Sequence, residues 1–200
     1  MTEVATAAPE PGWRGIGELA RLVGAYCWVE ERVFEVTGAW AARPADDAPG
    51  PSLRVWCAAA SRRHGELAQA WADRLPVRAG VDPTALVTAP DATLARALDR
   101  LAVVPDDRAG LTMLVGTVLP RLAAAYGAHL GAASPVCEAP VVEVLVRAGR
   151  ALAGEIEDGG RLLARLPGGP VRAGQEAQEL GTALERSFGA AGVSPAVRPS

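Results

Sequence analysis

Only two histidines occur in the chain, His64 and His129, and both fall on or beside the apolar stripe of a predicted helix. Glu30 lies in the middle of another such stripe, in "LVGAYCWVEERVFEVTGAW" (residues 22–40), among Leu22, Val23, Tyr26, Val33 and Trp40. A lone charge in a core is costly, so Glu30 must be ion-paired, protonated, metal-bound or exposed through an opening. Tyr126 continues the stripe of a third helix, and Glu155 and Asp158 of "EIED" accompany that of a fourth. Glu30, His64, Tyr126 and Glu155 therefore form a candidate inward polar cluster, able to pair with one another or with a metal.

Each of these residues also has a plainer reading. Glu30 can pair with Arg63, near the centre of the second helix's stripe, or with His64 on its flank. His129 can be a core histidine bound to Glu138 or to a carbonyl. Glu155 on the flank, with Glu157 and Asp158, forms an acidic run of the kind that makes a solvated face, with Arg161 and Arg165 at helical spacing as partners. Trp28, Trp40, Trp56 and Trp71 read as packing or subunit contacts.

Positioning these side chains requires long helices, and turn signals delimit them. Residues 1–12 read as a disordered lead, 13–166 as a helical bundle, and 167–200 as a Pro/Gly-rich tail with one weak helix. Helix A is expected over 13–42, and helix B over 53–75 with Ser52 as its cap. A short helix is expected near 92–103, capped by Asp91. Helix C is expected over 111–130, kinked by Pro120, and helix D over 141–166. The A–B and C–D connections are short and B–C is long, so B and C can run parallel, which is the loop pattern of a ferritin-like four-helix bundle. At about 1.5 Å of rise per residue, Glu30 stands roughly 24 Å along helix A, and His64, Tyr126 and Glu155 come to within about a turn of that level.

Composition narrows the function classes. Every basic residue is Arg and the net charge is −3, with no basic run, which argues against a nucleic-acid surface. Three cysteines without CxxC spacing suggest neither a disulfide framework nor a zinc knuckle, and fit a reducing cytoplasm. The first residues lack a signal-peptide pattern, and no uninterrupted apolar run reaches the length of a membrane span. "PGGP" follows no strand and precedes no lysine, so it is a helix stop and not a phosphate loop.

The elements "CWVEERVFE" on helix A and "SRRHGELAQAWADRLP" on helix B resemble those of small actinobacterial members of the ferritin-like superfamily, a likeness that covers residues 15–166. The resemblance implies an all-α bundle, a homodimer or other homo-oligomer, and a di-iron ligand set. That set has a carboxylate on the first helix, E-x-x-H on the second, a carboxylate on the third and E-x-x-H on the fourth. Glu30 and His64 match it. Ser61 stands where the second helix should carry glutamate, helix C has neither Asp nor Glu, and Asp158 replaces the last histidine. The implied protein is a bundle with an eroded metal site that works without catalysis, as an oligomeric or partner-binding module. The alternative the resemblance implies is an iron or manganese oxidoreductase with a reduced ligand set, in which Glu30, His64 and Glu155 or Asp158 are candidate metal ligands and Tyr126 a candidate proton or electron donor.

Overall fold

A computed structural model describes residues 14–43, 50–77, 80, 82–166 and 174–188. The lead expected at 1–12, the start expected for helix A at Trp13 and much of the expected tail lie outside the described residues. Among the described residues the regular structure is all helical, without strands. The helices are α1 (Ile16–Ala41), α2 (Pro51–Ala72), α3 (Ala92–Ala102), α4 (Asp107–Met113), α5 (Leu119–Ala132), α6 (Ala139–Leu163) and α7 (Gln175–Phe188), with a 3-10 turn at Pro83–Leu86. A π-helical segment, Leu114–Val118, joins α4 to α5, so that 107–132 form one continuous rod.

Several boundaries differ from expectation for local reasons. Ser52 does not cap α2; Pro51 opens that helix after Gly50, which suits a residue with no N–H to leave unpaired. The third long helix starts four residues early because the Asp106 side chain accepts from the Arg108 and Ala109 N–H groups. Asp91 caps α3 as expected. Just before Pro120 the helix widens, where the Leu119 N–H reaches back five residues to the Leu114 carbonyl. A wider turn accommodates a ring that would otherwise meet the carbonyl four residues earlier.

Contacts at the helix ends establish directions. At one end Arg54 Nε donates to the Ala41 carbonyl (2.9 Å), Arg43 pairs with Asp107 (2.7 Å) and Arg108 donates to the Leu163 carbonyl (3.1 Å). At the other, Arg74 Nε donates to the Pro140 carbonyl (3.0 Å) and His129 meets Glu138 (2.9 Å). Thus α2 and the 107–132 rod run one way and α1 and α6 the other. The long connection that carries α3 returns the chain to the first end. Trp40, Trp56, Trp71, Leu111, Leu114, Leu122, Leu145 and Leu152 are buried between these helices. By length and composition the rod could cross a membrane, with a mean hydropathy of 1.3 over its best window. Single interruptions such as Arg121 hid this from a search for unbroken apolar runs. Here Leu111, Leu114, Val118, Leu119 and Leu122 are buried within the bundle.

The weak helix expected in the tail is α7, and it packs on the bundle. Leu180, Ala183, Leu184 and Phe188 are buried, and Phe188 stacks on Tyr26 with ring centroids 5.3 Å apart. Gly24 marks the closest approach of the crossover to α1, since a Cβ there would lie 2.1 Å from the Leu86 carbonyl oxygen. Gly24→Ala should therefore destabilise by about 1–3 kcal/mol. Gly154→Ala, on exposed helix with nothing within 4 Å, should instead stabilise by up to about 1 kcal/mol. Urea unfolding midpoints of the two variants test the contrast, and equal shifts would contradict it.

Candidate functional site

Four long helices each send a polar side chain to the same level of the core. Tyr126 Oη, from α5, donates to Glu30 Oε1 at 2.5 Å. The other Glu30 oxygen pairs with His64 Nδ1, and His64 Nε2 meets Glu155 Oε1 at 3.2 Å. Arg63 Nε closes the chain by donating to Glu155 Oε2 at 2.9 Å. Glu30, His64, Tyr126 and Glu155 are all buried, whereas the Arg63 side chain remains 26% exposed and carries the network to the surface.

Electrostatics explain how such charges sit in a core. Burial alone would pull His64 down, but Glu30 and Glu155 hold the charged ring and raise its pKa to about 9. His64 is therefore an imidazolium at neutral pH, and both ring nitrogens donate. Burial pushes Glu155 up, yet His64 and Arg63 outweigh it and lower its pKa. Burial and the Glu30 carboxylate push Tyr126 far above its ordinary value, so it stays a neutral donor. Two carboxylates face one guanidinium and one imidazolium, so the charges balance without any further ion.

The sequence-derived ligand set is thus only partly assembled. Glu30, His64, Glu155 and Tyr126 meet, and Glu155 proves to be buried on the line Val141–Ala148–Glu155–Leu162 instead of on a flank. Asp158 does not join them. It shares the line Val144–Ala151–Asp158, which passes from buried to exposed along α6, and pairs with Arg161 in solvent. Iron or manganese does not fit these residues as they stand. A metal needs a histidine lone pair, and both His64 nitrogens are taken by carboxylates; each oxygen of Glu30 and Glu155 already accepts a hydrogen bond. Among the described residues no group of three or more His, Cys, Asp or Glu side chains is placed to hold a metal ion.

A second buried cluster lies nearer the α5–α6 turn. His129 Nε2 meets Glu138 at 2.9 Å, as one of the sequence readings held, and Arg14 pairs with the same carboxylate at 3.4 Å. Burial pulls His129 below its ordinary pKa; the Glu138 hydrogen bond offsets part of this and the Arg14 charge adds to it. Nothing in the residues around Arg14 marked it as a core group. The available signal was topological, because the long crossover makes α1 and α6 parallel and so brings the start of α1 to the start of α6, where Glu138 needs a cation. Between the two clusters Tyr26 packs edge-on against Tyr126 (4.8 Å, 85°) and 5.8 Å from the His129 ring. Cys27, Cys57 and Cys137 are free thiols.

Comparison of the chain with protein-family models, with curated proteins and with solved structures gave no match.

Proposed function

We propose that this chain is a ferritin-like four-helix bundle whose metal-ligand positions hold an ion-paired core, and that it acts in the cytoplasm as a non-catalytic homo-oligomeric or partner-binding module. Helix directions with one long crossover support the family reading. The observation that carries the functional one is His64, whose two ring nitrogens are both spent on carboxylates of different helices. An iron or manganese site would need one of them free. Arg63 on Glu155 supplies the positive charge that a metal would otherwise bring.

The working surface then lies on the outside of the bundle, and the end at the start of α1 is the best candidate. Ile16, Pro76, Cys137 and Pro140 line a small groove there of about 170 Å³. Ile16 is 63%, Val77 90% and Val136 85% exposed, an apolar group that a second copy of this chain would cover.

Elemental analysis after anaerobic loading with iron or manganese, combined with light scattering, tests both parts. The expected result is no stoichiometric metal and a mass that is a multiple of 20.6 kDa, returning to monomer when Val77 and Val136 are both changed to Glu. Stoichiometric metal that disappears in Glu30→Ala would overturn the reading in favour of the oxidoreductase. A monomeric wild type would overturn the oligomer.

A further inference from the structure

The start of α1, the segment Thr88–Pro90 and Ser187 near the end of α7 enclose a cleft of about 400 Å³, within the size range of small-molecule sites. One face of α1 forms a wall of it through Glu18, Arg21, Leu22 and Ala25, at spacings that keep successive side chains on the same side of the helix, and Arg14 just before the helix extends that wall.

The charges of this wall are unusual for the molecule. Glu18 and Arg21 stand three residues apart, a spacing at which opposite charges ordinarily meet, and the same spacing does join Arg32 to Glu35 and Arg161 to Asp158. Glu18 and Arg21 line the cleft and form no ion pair or side-chain hydrogen bond among the described residues. Arg14 is already matched by Glu138, so it adds no net charge. The cleft therefore offers one uncommitted carboxylate and one uncommitted guanidinium beside an aliphatic surface of Leu22 and Ala25.

We propose that this cleft binds a small zwitterion of the aliphatic α-amino-acid class. Arg21 takes the ligand carboxylate through its planar fork, a geometry suited to two parallel hydrogen bonds. Glu18 takes the ammonium, and the aliphatic side chain lies on Leu22 and Ala25. A simple anion would leave Glu18 opposed, and a simple cation would leave Arg21 opposed; only a ligand with both charges satisfies the pair.

Calorimetric titration of the full chain with L-leucine, 4-methylpentanoate and L-leucinamide tests the proposal, because the last two lack the ammonium and the carboxylate respectively. L-leucine is expected to saturate with a dissociation constant of about 1 mM or tighter, and each analogue to bind at least about tenfold more weakly. Glu18→Gln should weaken L-leucine to the level of 4-methylpentanoate, and Arg21→Gln to that of leucinamide. Both positions are on the helix surface, and circular dichroism checks that the variants fold. The proposal fails if L-leucine does not saturate by about 10 mM. It fails equally if either analogue matches L-leucine, or if both variants bind L-leucine as the wild type does.

Discussion

His64→Leu should lower the stability of this protein by about 3–5 kcal/mol, one of the two largest effects expected of a single change in it. The substitution removes the one group that Glu30 and Glu155 share. Glu30 would be left buried with only the Tyr126 hydroxyl, and Glu155 with only Arg63. Leucine fills much of the space, so lost packing is a minor part of the loss and unpaired charge the major part. That division is testable, because adding Glu30→Gln to His64→Leu removes the stranded charge and should restore part of the stability. If the second change instead deepens the loss, the network is not the cause.

The same network gives the wild type a distinctive pH dependence. The folded pKa of His64, about 9, lies above its ordinary 6.5. The contribution of His64 is therefore complete below 6.5 and is lost as pH rises through about 9. A shift of that size corresponds to stability on the order of 3 kcal/mol. His129 works in the opposite sense. Its folded pKa lies below 6.5, so its neutral buried form costs stability as pH falls below 6.5. Glu155, lowered from 4.5, stabilises above that value and ceases to do so as pH falls through its folded pKa. Urea unfolding across this range should show maximum stability near pH 6.5, with an alkaline decline that His64→Leu abolishes. An alkaline limb that persists in the variant would assign it to another group.

How much of this arrangement the sequence discloses depends on what kind of information each residue carries. Glu30 and Tyr126 interrupt or extend stripes of one period, so helical projection alone placed them inward and at matching levels. His64 followed because it is one of just two histidines on a helix of known direction. Glu155 and Asp158 were harder. An acidic run of three does not reveal which member faces the core, and a displacement of one helical position separates a buried carboxylate from a solvated one. Arg14 and α7 carried no periodic signal strong enough to mark them. Their burial follows from tertiary placement, with Arg14 drawn in by Glu138 and α7 covering Tyr26 through Phe188. The π segment ahead of Pro120 was invisible for a related reason, since a proline announces the problem but not whether the helix bends, breaks or widens to solve it.

Glu138→Gln is the other change expected to cost about 3–5 kcal/mol. Glutamine keeps the size and can still hydrogen-bond, so the effect isolates the charge. Arg14 cannot lose its proton, and its side chain is only 2% exposed; the substitution removes the buried carboxylate charge that Arg14 and His129 both meet. The removal also leaves a mark that lost packing would not. Glu138 raises the His129 pKa through its hydrogen bond while Arg14 lowers it. In the variant the Glu138 charge no longer offsets burial and Arg14, so His129 should titrate at a still lower pH when followed by its ring resonances in NMR. Glu143→Gln is the matched control. Its side chain is 78% exposed and stands 3.6 Å from Arg74, and its loss should change stability by no more than about 1 kcal/mol. The two glutamates sit five positions apart at the start of the same helix, so the contrast separates burial from local sequence. Equal and small losses would show that water already reaches Arg14 and Glu138. A large loss with unchanged His129 titration would mean that Glu138 stabilises the α5–α6 turn through the Ser134 N–H, which it accepts at 3.4 Å, more than through its charge.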